Sequence, residues 1–235
     1  MLLIAIKELV KMLTKTPQAE MTSGPILKNI IAFAVPVIIT NPLQVLYSVS
    51  DTVIVSLSSE PDAVGAIGTT TAMINLVVNM FIDCAVGAKV AMAQSIGAKG
   101  EAKIKNTVHT SLMLIIIFGI ICACVGIILA KPILATMGNK GKLLALALIY
   151  TKTYFFGVPF ISVTNFATAL INATGNTRTP LRVMTFSGLL NILLNLFFVL
   201  TFHMSVDGMA IATVLSNAAS AVLQSAKALP ANLHA

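Results

Sequence analysis

Six stretches of this chain are apolar over about the twenty residues that a helix needs to cross a bilayer. They run over 30–57, 64–96, 107–130, 143–172, 181–202 and 208–226. A chain in hydrocarbon must satisfy every backbone N–H and C=O within its own elements, so six such runs predict an all-α, polytopic membrane protein. Only 10% of the 235 residues are charged and 57% are hydrophobic, against ~25% charged in a soluble domain. The breaks between runs carry turn or charge signals: Glu60-Pro61-Asp62, Gly97 to Gly100, Lys131-Pro132, Gly138 to Gly141, Gly175-Asn176 and His203 to Asp207. The second and fourth runs exceed a single crossing and are expected to tilt or protrude. Residues 1–20 read as an amphipathic extension lying on the membrane, 21–226 as the six-helix unit and 227–235 as a tail.

The net charge of +7 does not point to nucleic acid in such a chain, because loop Lys and Arg orient membrane proteins. With the N-terminus in the cytoplasm, Lys7, Lys11, Lys15, Lys28, Lys99, Lys103, Lys105, Arg178, Arg182 and Lys227 lie inside, and only Lys131, Lys140 and Lys142 lie outside. The expectation is a multi-pass protein of the cell membrane with both ends cytoplasmic. Cys84, Cys122 and Cys124 sit in apolar runs and read as free thiols. His109 and His203 have no second ligand at metal spacing, so no metal site is expected. No nucleophile–base pairing or phosphate-binding loop is present, so the chain does not read as an enzyme.

One carboxylate stands inside the first run. A charge in a span costs at least ~2.5–3.5 kcal/mol on insertion scales, so such a residue normally faces a bundle interior or water. Asn41, Gln44, Ser48 and Asp51 share one side of that helix. Other runs carry stripes of their own: Thr71, Asn75, Asn79 and Asp83 in the second; Thr164, Thr168 and Asn172 in the fourth; Ser187, Asn191 and Asn195 in the fifth; Ser216, Ser220 and Gln224 in the sixth. Any one stripe is explained by hydrogen bonding between helices. Together, with two carboxylates among them, they point to a hydrated cavity lined by Asn41, Gln44, Ser48, Asn75, Asn79, Asp83, Thr164, Thr168 and Asn172. The third run instead has Gly119, Ala123, Gly126 and Ala130 on one face, a pattern for close helix contact.

In order and spacing, GPILKNIIAFAVPVI, LQVLYSVSDTVIV, VGAKVAMAQSIGAK, YFFGVPF, ATGNTRTPL, GLLNILLNLFFV and VDGMAIATVLS resemble the first half of a MATE (multidrug and toxic compound extrusion) transporter. The resemblance implies one six-helix lobe of a twelve-helix fold, and cation-coupled antiport of cationic amphiphilic drugs and toxins. It places the coupling acid on Asp51 and the fifth-helix N-x-x-L-N motif on Asn191 and Asn195. A proton or sodium ion is the implied coupling ion, with no other cofactor. Membrane lipid and a second six-helix lobe, either a separate chain or a second copy of this one, are the implied partners. Asp83, Lys89 and Ser56 depart from the family's usual residues. Two other readings stand beside this one. The first is an inactive or purely structural fragment. The second is a lipid-carrier flippase, for which Lys152 is the one basic candidate in the cavity.

The charge pattern yields a test of orientation. Cysteines introduced near Asp62 and Asn139 should react with an impermeant reagent added outside intact cells, and one at Lys103 should not. Outside labelling at Lys103 would reverse the orientation.

Overall fold

The computed structural model describes residues 26–58, 60–98 and 101–231. It is helical throughout, with no strand among the described residues. Six helices follow one another: α1 (Ile26–Ser56), α2 (Ala63–Gly97), α3 (Glu101–Thr136), α4 (Gly141–Ala173), α5 (Arg178–Thr201) and α6 (Val206–Ala231). Each contains a segment long and apolar enough to cross a membrane. The expected surface segment at 1–20 lies outside the described residues.

One boundary differs from the sequence reading. The third helix does not break at Lys131-Pro132 but continues to Thr136 with Pro132 inside it. Proline removes a single N–H and leaves the carbonyl four residues earlier unpaired, a loss that membrane helices tolerate. The helix ends instead where Gly138 takes a left-handed φ of 88°, a conformation that costs glycine little. Asn139 then folds back, and both its backbone N–H (3.3 Å) and its side-chain amide (2.9 Å) donate to the Leu134 carbonyl. Pro36 and Pro42 are likewise enclosed in α1, and Pro159 in α4.

The helices pack around α4, which touches α2, α3 and α6, while α5 lies on α6 and α1 lies mainly on α5. Of each helix's apolar core segment, 61% is buried in α4 and 6% in α1. The small-residue face of α3 meets α4 as expected: Gly119, Ala123 and Ala130 are buried, and a side chain at Gly126 would overlap the Phe155 ring. Across α4, Gly157 makes room for Val214 of α6. At the end of the lobe that holds the α1–α2 turn, Lys142 pairs with Glu60 at 2.6 Å. The α5–α6 turn is set by His203 at φ 52° and by the Met204 N–H, which returns to the Phe198 carbonyl at 3.1 Å. This turn packs on Gly208, where a Cβ would come within 2.7 Å of the Met204 side chain. It therefore fixes the register of α6 against α5.

The outermost helix, α1, is seated by a similar fit. The Tyr47 ring lies directly on Gly188 of α5, and its hydroxyl donates to the Thr185 carbonyl at 3.4 Å. Any side chain at Gly188 would overlap the ring. Gly188→Ala should therefore cost ~1–3 kcal/mol, the usual range for overpacking, read as a lowered Tm in detergent. Adding Tyr47→Leu should recover most of the loss; an unaltered Tm in the single variant would place α1 elsewhere.

Candidate functional site

The seat of Tyr47 on Gly188 sets what lies one turn further along α1. Residue 51 follows 47 by four positions and so faces the same neighbour. The Asp51 side chain is half-buried, and its Oδ1 accepts a 2.7 Å hydrogen bond from Asn195 Nδ2 on α5. Asn191 and Asn195 are buried, one helical turn apart, on the face of α5 turned inward. The second N–H of the Asn195 amide reaches Asn191 Oδ1 at 3.1 Å. Asn191 Nδ2 donates onward to Thr213 Oγ1 (3.4 Å) and Ser216 Oγ (3.3 Å) of α6. A hydrogen-bonded chain thus runs from the α1 carboxylate through α5 to α6. All three residues implied as a coupling site stand together in it.

The chemistry of this cluster follows from its donors and acceptors. An ionised carboxylate only accepts, and an amide N–H aimed at it forms a short, charge-assisted bond. Asn195 spends both of its N–H groups, on Asp51 and on Asn191. Its own Oδ1 is buried without a partner. From α4, the buried rings of Tyr150 and Tyr154 lie close enough to feel the Asp51 charge. The cluster therefore holds one acid in a mostly neutral, hydrogen-bonding surround, with an unfilled oxygen acceptor beside it.

The other cavity candidates divide into two groups. Gln44 and Ser48 on α1, and Asn75, Asn79 and Asp83 on α2, are exposed on faces that no other described helix covers. The Asn41 side chain lies outside the described residues. Among the described residues Asp83 makes no ion pair, and Lys89 lies with its ammonium 5.4 Å from the centre of the Phe33 ring of α1. Thr164, Thr168 and Asn172 are half-buried rather than open. Thr164 donates to the Asn217 carbonyl at 3.4 Å, and Thr168 donates to Gln224 Oε1. This stripe joins α4 to α6, so for α4 the expectation of a cavity wall gives way to helix–helix hydrogen bonding. Lys152 lies on an exposed face of α4 with Ile149, Phe156 and Phe160. Asp51 is instead near the buried residues Tyr150 and Tyr154 of that helix.

Some contributors were not singled out from the sequence. Thr213 continues the Ser216–Ser220–Gln224 face toward the start of α6 and could have been found by extending it one turn. Tyr154 lies within the YFFGVPF segment but had no assigned role. Tyr47 and Gly188 are far apart in the chain, and nothing local marks them as partners.

Six long apolar helices, with a polar, carboxylate-containing cluster between α1, α5 and α6, define a multi-pass membrane protein. The family model MatE matches residues 36–197, and the chain belongs to that family, whose members are transporters. The chain is 24% identical to the probable multidrug resistance protein YpnP of Bacillus subtilis over 197 residues, 84% of this chain and 44% of YpnP. It is 27% identical to the multidrug export protein MepA of Staphylococcus aureus over 199 residues, 85% of this chain and 44% of MepA. A crystal structure of a MATE protein in the bent conformation superposes with a TM-score of 0.83 at 25% identity, covering 89% of this chain and 47% of that one. The chain thus spans somewhat less than half the length of these relatives.

The hydrogen bond at the centre of the site can be weighed directly. Bonds to charged groups are worth ~1.5–3 kcal/mol. A double-mutant cycle of Asp51→Ala and Asn195→Ala, followed by denaturation at neutral pH, should show a coupling energy of at least ~1 kcal/mol. Additive effects would mean that the two side chains do not interact.

Proposed function

We propose that this chain is one lobe of a cation-coupled multidrug antiporter, working in the cell membrane with both ends in the cytoplasm. The observation that carries the reading is the Asp51–Asn195 bond, which ties the least buried helix to the body of the lobe through an ionisable group. Burial of a carboxyl favours its uncharged form. Protonation removes the charge that the Asn195 amide stabilises, frees α1 to repack and weakens the hold on a cationic cargo. A proton drives such a change only because it binds the two arrangements with different affinity. Drugs and xenobiotics are the cargo class, in keeping with the multidrug export described for MepA.

The exposed stripes on α1 and α2 support the second half of the reading. Gln44, Ser48, Asn75, Asn79 and Asp83 would be costly against lipid. A second six-helix lobe, separate or a second copy of this chain, would turn them into the wall of a central cleft. There Asp83 adds a negative charge suited to cations. A flippase for phosphorylated lipid carriers would want the opposite sign. An inactive fragment would have no use for an acid held in a hydrogen-bonded pocket.

Sodium is a second reading of the coupling ion, favoured by the unpartnered Asn195 Oδ1 beside the Asp51 carboxylate. Turning the Asn195 amide over would face its oxygen to a shared cation. Dye efflux by the assembled two-lobed transporter in vesicles, under imposed proton or sodium gradients, separates these readings. Asp51→Asn should insert normally and lose efflux under whichever gradient drives the wild type. Efflux at the wild-type rate under both gradients would make the acid structural.

A further inference from the structure

The polar chain that starts at Asp51 does not stop at α6. Below Ser216, the same face of that helix carries Ser220 and Gln224, with exposures of 4%, 3% and 2% for the three residues. Gln224 Nε2 donates to Ser220 Oγ at 3.4 Å, and Thr168 of α4 donates to Gln224 Oε1. One turn further along α4, Asn172 is half-buried near the end of the helix, and its Oδ1 is buried without a partner. Helical rise puts ~12 Å between residues 216 and 224. The column therefore runs from the carboxylate, near the α1–α2 end of the lobe, to the opposite end.

Helix adhesion accounts for only part of this column, through the Asn191–Ser216 and Thr168–Gln224 bonds between helices. Ser216 and Ser220 lie on one helix, and the Ser220 bond to Gln224 stays within that helix. Two acceptors in it, Asn195 Oδ1 and Asn172 Oδ1, have no donor, and a buried acceptor without a donor is a cost. Such groups are where buried waters bind. Hydroxyls both accept and donate, so each can pass a proton along a chain of water. Ser216 and Ser220 are one helical turn apart, ~6 Å of rise.

We propose that this column is the route by which the coupling proton passes between Asp51 and the cytoplasm, inside the lobe and apart from the cargo cleft. The proposal rests on the proton reading given above. The proton leaves the Asp51 carboxyl to a water held by Asn195 Oδ1 and passes along the Ser216 and Ser220 hydroxyls. Waters held by Gln224, Thr168 and Asn172 carry it out, and Asp51 is left ionised against the Asn195 amide. The titratable groups that feel the Asp51 charge from α4 are Tyr150 and Tyr154, and on α1 itself Tyr47 turns its hydroxyl to the Thr185 carbonyl instead. None of them lies on the column.

The test follows the Asp51 carboxyl band by infrared difference spectroscopy of the full chain in membrane vesicles, with Asp51→Asn to assign it. A pH jump is applied to inverted vesicles, from the cytoplasmic face, and to right-side-out vesicles. In Gln224→Met and Ser220→Ala, equilibration from the cytoplasmic face should slow by about tenfold, ~1.4 kcal/mol on the barrier. The titration midpoint and the rate from the outer face should not change. Gln224→Glu should keep the wild-type rate. A purely structural role would lower Tm and leave both rates alike. Wild-type rates in both column variants would overturn the route while leaving Asp51 as the coupling acid. An Asp51 band that never titrates would overturn the route and the proton reading together.

Discussion

The contact on which this lobe turns is the hydrogen bond between Asp51 and Asn195. Its outermost helix, α1, buries little of its own apolar surface, and only 6% of its core segment is covered. Hydrophobic burial, the usual glue of a soluble fold, does not operate between helices surrounded by lipid; packing and hydrogen bonds take its place. Two features seat α1 against α5. One is steric, the Tyr47 ring on Gly188, and does not depend on ionisation. The other is the amide–carboxylate bond, which does. A charge-assisted bond is worth ~1.5–3 kcal/mol, enough to shift a balance between two positions of a lightly held helix and too little to unfold the body behind it.

That body is built differently. Around α4, glycines let whole helices approach, as Gly126 admits Phe155 and Gly157 admits Val214. The polar residues in its interior are buried and mostly paired, whereas Gln44 and Ser48 on α1 and Asn75, Asn79 and Asp83 on α2 are exposed. The chain thus has two kinds of polar surface. One is sealed between α4, α5 and α6; the other lies open on a face that water or another protein must cover. The match to less than half of each relative is compatible with that second surface, because an open polar face at membrane depth requires cover by water or by protein.

Much of this architecture was legible in the sequence. Hydropathy alone marked six spans, because hydrocarbon leaves few ways to build a crossing. Asp51 stood out because charge is rare there, and the MATE resemblance placed Asn191 and Asn195 beside it. The direction in which a stripe faces was not legible. Thr164-Thr168-Asn172 and Asn75-Asn79-Asp83 have the same four-residue spacing, yet the first is packed on α6 and the second lies open. Rotation about a helix axis is set by the neighbours, and neighbours are a property of the whole bundle. Lys131-Pro132 was misread for a related reason. A proline stops a helix readily in water, where the freed carbonyl finds a partner, but in a span the helix remains the best arrangement for every other backbone group.

The division between a firmly packed body and a loosely held α1 also bears on where coupling can reside. A change in one carboxyl's charge transmits nothing unless some element has two arrangements that the charge distinguishes. The helices around α4 are unsuited to that role, since their glycine contacts leave no room to slide without overlap. Helix α1 is suited to it: its apolar surface is equally at home against lipid or protein, and its enclosed prolines, Pro36 and Pro42, each remove a backbone bond that would otherwise stiffen it. Asp51 lies on the far side of both prolines from the start of the helix, in the segment that Tyr47 pins to α5. On the proposed coupling, loss of the Asp51–Asn195 bond would leave Tyr47 as a pivot, about which the two ends of α1 would move in opposite senses. On that proposal the steric seat and the ionic one are complementary parts: the first would keep α1 on the lobe, and the second would decide how it lies there.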